Sequence, residues 1–150
     1  MDITIRPARP EDIPRMCDLL AKLFAIESDF TPDKVKQTHG LSALVADPSG
    51  RTLVLVAVSD MIVIGMATVQ TLISTAEGGR VGLIEDVIVE EKFRGAGIGS
   101  LLLKEIFARS RKMRLMRLQL LADRDNQPAL DFYLSRGLTA TRLICLREML

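Results

Sequence analysis

The stretch Val81–Ser100, VGLIEDVIVEEKFRGAGIGS, decides the fold. An apolar run rich in Val and Ile ends in charged residues and then in the glycine turn Arg94-Gly95-Ala96-Gly97-Ile98-Gly99. Leu101, Leu102, Ile106 and Phe107 follow at helical spacing. A strand that stops at a glycine-rich turn and feeds a helix leaves several backbone N–H groups converging on one concavity. The helix dipole adds partial positive charge there, so the place suits a phosphate or pyrophosphate. Two other glycine patterns fit poorly. A P-loop needs Lys before Ser/Thr, and here Ser100 follows Gly99 directly. A dinucleotide fingerprint needs a third glycine where Ser100 stands, and an acidic residue near Leu115–Gln119, where there is none. Taken alone, the turn is also compatible with a plain tight bend.

Outward from this stretch the chain reads as an α/β protein. Ile3–Arg6 alternates as a short strand. Pro10-Glu11-Asp12 opens a helix whose apolar stripe is Ile13, Met16, Cys17, Leu19, Leu20, Leu23 and Phe24. Thr31-Pro32-Asp33 starts a second helix with Val35, Leu41 and Leu44 as its apolar side. Thr52–Val58 and Ile62–Leu72 form an antiparallel hairpin, although the turn Ser59-Asp60-Met61 lacks glycine. Strand Val81–Val89, helix Gly99–Lys112 and strand Leu115–Leu121 make a parallel β-α-β crossover. A fourth helix runs through Leu130, Phe132 and Tyr133 to a Gly137 C-cap, and Leu138–Met149 adds one or two strands. The expectation is a mixed, mostly antiparallel sheet of six to seven strands flanked by about four helices.

The chain has 150 residues, 48% hydrophobic and 26% charged, which predicts one globular domain over residues 1–150. Its net charge of +1 gives no reason to expect a nucleic-acid or membrane partner. Apolar runs are far shorter than the ~18 residues of a membrane span, and no signal peptide is visible at the start. Cys17 and Cys145 sit in apolar patterns without ligand spacing, which predicts reduced core thiols in a cytoplasmic protein and no metal site. His39 is the only histidine and reads as a surface or loop residue.

The glycine turn resembles motif A of the Gcn5-related N-acetyltransferases (GNAT), Arg/Gln-x-x-Gly-x-Gly/Ala, filled here by Arg94, Gly97 and Gly99. A second match, Asn126-Gln127-Pro128-Ala129-Leu130-Asp131-Phe132-Tyr133 with Gly137-Leu138, resembles the family's Asn-x-x-Ala-x-x-Phe-Tyr…Gly-Phe segment. The opening Ile5-Arg6-Pro7-Ala8 and Glu11-Asp12-Ile13 is similar as well, so the resemblance spans nearly the whole chain. Leu138 where Phe is commoner, and Met61 where the hairpin usually has Gly, are departures. The resemblance implies acetyl-CoA as co-substrate and a homodimer. It implies that Arg94, Gly95, Ala96, Gly97, Ile98, Gly99 and Ser100 hold the pyrophosphate. Main-chain groups of Val87, Ile88 and Val89 would serve the pantetheine arm. Asn126 would line the cofactor channel, and Tyr133 would place its hydroxyl near the thioester sulfur.

Acetyl transfer to an amine needs a proton acceptor, because at a reference pKa near ~10.4 only on the order of 1 in 10³ amines is neutral at pH 7. Glu85 and Asp86 interrupt an otherwise apolar strand, and alternation sends them to opposite faces. Glu85 is the favoured base, since the resembling family often carries a Glu or a water-binding group there. Tyr133 is the candidate acid for the leaving thiolate, and no acyl-enzyme is required. The connection Phe24–Thr31 joins the two early helices, and its Phe24, Glu27, Asp29 and Phe30 are candidates for the amine acceptor, whether small molecule or protein. The expectation is an N-acetyltransferase working by direct transfer in a ternary complex. The rivals are a non-catalytic acyl-CoA-binding or sensing module on the same fold and a nucleotide-binding α/β protein.

Overall fold

The computed structural model describes residues 1–27 and 29–150; Ser28, inside the Phe24–Thr31 connection, lies outside the described residues. The chain divides into two compact units, Met1–Gln119 and Leu120–Leu150. Nearly all the regular structure lies in the first. β1 (Thr4–Pro7) leads through a 3-10 turn at Pro10–Asp12 into α1 (Ile13–Ile26) and α2 (Lys34–Val45). β2 (Thr52–Ser59), β3 (Ile62–Ser74) and β4 (Gly79–Val89) follow, then α3 (Ile98–Lys112) and β5 (Leu118–Leu120). The sheet order is β1-β2-β3-β4-β5, with the first four strands antiparallel. Met116 N–H donates to Arg80 O and Gly82 N–H to Arg117 O, so residue numbers rise together and β5 joins β4 in parallel.

Both faces of the sheet are covered, for reasons visible in the residues. α1 turns Met16, Leu19, Leu20 and Leu23 onto Val54, Val56, Val63, Met66 and Ile88. α3 buries Ile98, Leu102, Leu103 and Ile106. A Cβ at Gly65 would come within 3.3 Å of Leu102, so the missing side chain lets α3 approach the opposite face. Arg6 grips Asp12 through two hydrogen bonds of 2.7 and 3.0 Å, which fixes the start of α1 against β1. That guanidinium holds the Asp12 carboxyl below its ordinary range. Asp33 caps α2 by accepting from Val35 and Lys36 N–H.

Several expectations need correction. Among the described residues the sheet has five strands, not six or seven, because residues 138–150 form neither helix nor strand. Val35 points outward at 66% exposure; of the expected stripe on α2, Leu41 is buried and Leu44 partly so. Cys17 is buried as expected of a core thiol, but Cys145 is exposed, in a segment outside helix and strand. His39 is exposed, as expected of a surface residue, but on α2 and not in a loop. Among the described residues no helix is long and apolar enough to cross a membrane.

The glycine-free hairpin closes through Asp60 and Met61, both left-handed at φ +48° and +64°. Ser59 pairs with Ile62, so these are the two turn residues of a primed turn, whose twist suits the strands. Met61 is 96% exposed and gains little packing in return for its strain. Met61→Gly should therefore raise stability by about 0.5–1 kcal/mol, the left-handed cost of about 1–2 kcal/mol less the entropy of glycine. Urea unfolding midpoints measure this, and an unchanged or lower midpoint contradicts it.

Candidate active site

β4 runs Gly79–Val89 and ends at Glu90, and the chain turns at once into the 3-10 turn Glu91–Phe93 and the exposed segment Arg94–Gly97. Gly95 and Gly97 are left-handed at φ +80° and +81°. Gly97 is the N-cap of α3, so the helix begins at Ile98, one residue before the expected start. Its first intrahelical bond is Leu101 N–H to Gly97 O at 3.0 Å. The N–H groups of Ile98 and Gly99 belong to the turn that a helix cannot satisfy internally. A Cβ added at Gly95 or Gly97 would meet nothing within 4 Å, so the space beside the loop is open. Glycines with positive φ, an open mouth and helix-end N–H groups fit a pyrophosphate. The Arg94 side chain turns back, its Nε donating to Val89 O at 3.1 Å, and so ties the loop to the end of β4.

Within β4 the pairing slips. Glu85 faces Thr68 and Ile88 faces Met66, so Asp86 and Val87 together stand opposite the single Ala67. This is a β-bulge, and Asp86 takes it up at φ +56°. The bulge interrupts the strand alternation on which the expected facing of Glu85 and Asp86 rests. Met66 and Ile88 lie in the α1-side core, and Thr68 and Glu85 share their face. The Asp86 carboxyl feels both Glu85 and Glu27, the residue that ends α1. Burial, then Glu85, then Glu27 push Asp86 up to about 6, while the Thr68 hydroxyl opposes the rise. That hydroxyl also donates to Glu85 O at 3.1 Å.

The remaining expected residues fall as follows. Ile88 is buried, Val87 and Val89 are half-buried, and the bonds to β5 fall at Arg80 and Gly82 in the other half of β4. Phe24 packs on the core and Phe30, 45% exposed, lies against it with ring centroids 5.3 Å apart. Glu27 is half-buried and Asp29 exposed. Glu85 and Glu27 both act on the Asp86 carboxyl, raising it. In the second unit α4 (Gln127–Ser135) carries Tyr133, half-buried and edge-on to Phe132. Asn126 caps α4, its Oδ1 accepting from Ala129 N–H at 3.3 Å. Among the described residues no group of three or more His, Cys, Asp or Glu is placed to hold a metal ion.

One group went unforeseen. Glu90 is buried, and its carboxylate takes ion pairs from Arg15 and Lys22 of α1. Arg15 Nε also donates to Val63 O at 3.0 Å, and Glu90 N–H donates to Ile64 O at 2.8 Å. The signal was faint: Arg15 and Lys22 stand two helical turns apart on one side of α1.

Against known proteins, the sequence profile described as "Acetyltransferase (GNAT) family" matches residues 13–138. No curated protein matches the chain significantly. Among solved structures, a transcriptional regulator from Bacillus halodurans C-125 is 25% identical, with 99% of this chain and 100% of that one covered and a TM-score of 0.87. Glucosamine-6-phosphate N-acetyltransferase from Arabidopsis thaliana is 18% identical, with 99% of each chain covered and a TM-score of 0.78. Ribosomal-protein-alanine N-acetyltransferase from Brucella melitensis biovar Abortus 2308 is 20% identical, with 99% of each covered and a TM-score of 0.77. At such identities the last two speak for the fold alone.

Lys22 and Arg15, foremost by hydrogen bonding, hold Glu90 down at about 2. A carboxylate depressed on folding stabilises fully above about pH 5, and its contribution fades as the pH falls toward 2. Glu90→Gln should cost on the order of 2 kcal/mol at pH 7, after allowing for the solvent that reaches Arg15 and Lys22. The difference should shrink toward zero near pH 2–3. Urea melts of both proteins across that range decide it; a cost independent of pH contradicts the assignment.

Proposed function

The chain belongs to the GNAT family of acetyltransferases, and we propose that it moves the acetyl group of acetyl-CoA onto a primary amine by direct attack in a ternary complex. The observation that carries this reading is the pair of left-handed glycines, Gly95 and Gly97, opening α3 directly after β4. Arg94–Ser100 hold the pyrophosphate, mainly through N–H groups at the start of the helix. Val87, Ile88 and Val89 offer main-chain groups to the pantetheine arm, and Asn126 lines its channel. Bound acetyl-CoA supplies the activated acyl carbon, and the amide bond forms as its C–S bond breaks.

The chain's own groups manage the protons and the charge. Glu27, Glu85 and Asp86 draw a cationic amine toward the bulge, with Asp29, Phe24 and Phe30 beside the acceptor. Asp86 takes the amine proton. Near 6, it is mostly ionised at neutral pH yet a better acceptor than an ordinary carboxylate. Glu85, exposed on the same face, is the second candidate. Tyr133 gives its phenolic proton to the departing sulfur.

A second reading has one observation in its favour, the neighbour described as a transcriptional regulator. The chain would then be a non-catalytic acyl-CoA-binding or sensing module. Release of free CoA across a panel of amines separates the two; acetyl-CoA binding without release favours the sensor.

The pyrophosphate site is tested by Gly97→Asp against Gly97→Asn. Both residues tolerate the left-handed conformation and cap helices, and only Asp carries charge. Calorimetry should show Gly97→Asp losing at least about tenfold in acetyl-CoA affinity relative to Gly97→Asn, the scale of one misplaced charge. Equal affinities sink the assignment.

Proton roles are read from kinetics and pH. Asp86→Asn should lower kcat by about 10²-fold, and Tyr133→Phe by a similar factor, with acetyl-CoA affinity kept in both. Since Asp86 is raised on folding, its ionisation opposes the folded state above about pH 4. Asp86→Asn should accordingly be more stable than the parent by on the order of 1–2 kcal/mol at pH 8 and equal to it at pH 4. A slow Glu85→Gln beside a fully active Asp86→Asn would move the base to Glu85.

A further inference from the structure

The glycine loop has little packing of its own. From Glu91 to Gly97 every residue except Phe93 is exposed, and the space beside Gly95 and Gly97 is open. On the strand side its hydrogen bonds reach back only a few residues. Phe93 N–H donates to Glu90 O at 2.9 Å, Arg94 N–H to Glu91 O at 3.1 Å, and Arg94 Nε to Val89 O at 3.1 Å. The loop therefore goes where the corner at Val89–Glu91 goes. Glu90 N–H ties that corner to β3 through Ile64 O at 2.8 Å, and the Glu90 side chain, 7% exposed, ties it to α1. Arg15 donates to one carboxylate oxygen and Lys22 to the other. The two cations stand two turns apart on α1, about 10 Å along its axis. Held on both oxygens from separate points, the carboxylate is fixed in direction as well as in position.

Stability alone is a weak reason for such a group, because well-packed apolar residues in place of a buried ion pair are often no less stable. What a gripped charge supplies is geometry. A hydrogen bond of ~2.9 Å is lost when its donor moves by about 1 Å, so a small tilt of the corner would spoil several loop N–H groups together. We propose that Glu90, held by Arg15 and Lys22, positions the loop N–H groups for pyrophosphate and thereby sets the affinity for acetyl-CoA. The inference rests on the acetyl-CoA reading of that loop. It makes cations of the helix on one face of the sheet determinants of binding at the start of α3, the helix on the other face.

Calorimetry of the full chain with acetyl-CoA at pH 7 tests this. Glu90→Gln should weaken binding about tenfold, the worth of one hydrogen bond to a charged group. Lys22→Met leaves the carboxylate its Arg15 partner, so the fold stands, and should weaken binding about threefold, the scale of a half-exposed ion pair. Lys22→Arg should restore the parent affinity. Added to Glu90→Gln, Lys22→Met should cost nothing further, because both act through one contact. Asp12→Asn breaks the Arg6–Asp12 pair before the start of the same helix and controls for lost stability alone; it should bind as the parent does. Equal affinity of the parent, Glu90→Gln and Lys22→Met overturns the proposal and leaves the acetyl-CoA reading in place. So does a loss in Asp12→Asn as large as that in Glu90→Gln, or losses that simply add in the double variant. A parent that does not bind acetyl-CoA overturns both.

Discussion

A buried carboxylate is tolerated only where cations reach it, and Glu90 imposes that condition on the first unit. Removing a carboxylate from water costs several kcal/mol unless it is paired and hydrogen-bonded. Arg15 and Lys22 meet the need, and both stand on one side of α1. Arg15 also bonds to Val63 O, so one side chain fastens the helix to β3 and to the end of β4 together. The glycine loop leaves from that end after a single 3-10 turn. Its position relative to α1 is thereby set by an ion pair and not by loop packing.

The bulge in β4 works against local preference and is held by what surrounds it. A non-glycine residue at positive φ costs on the order of 1–2 kcal/mol, and a half-buried carboxylate beside two others adds to the strain. The antiparallel ladder on either side, Glu85 with Thr68 and Ile88 with Met66, over-determines the conformation. Here the strain falls at Asp86, at φ +56°, whose carboxyl is raised by burial, Glu85 and Glu27. The same burial that makes Asp86 a burden to the fold brings its carboxyl up to about 6.

Two solved acetyltransferases share this fold at 18% and 20% identity. In this chain Phe24 and Phe30, on either side of the end of α1, are in ring contact.

The features legible in the sequence were those settled by neighbours a few residues apart. Gly95 and Gly97 could be read because only glycine takes positive φ without cost, and Asn126 because its side chain reaches Ala129 in the next turn. The stripe Met16, Leu19, Leu20 and Leu23 was legible because a helix has a fixed period. What the tertiary structure alone decided involves partners far along the chain. The bulge at Asp86 depends on how β4 registers with β3, and a one-residue slip reverses every face that alternation assigns. Glu90 is met by Arg15 and Lys22, some seventy residues earlier, a pairing no local pattern in the sequence shows. Residues 138–150 have the composition of a strand, and a strand exists only when another lies beside it; that neighbour cannot be named by periodicity, because pairing is a property of the assembled sheet and not of the segment.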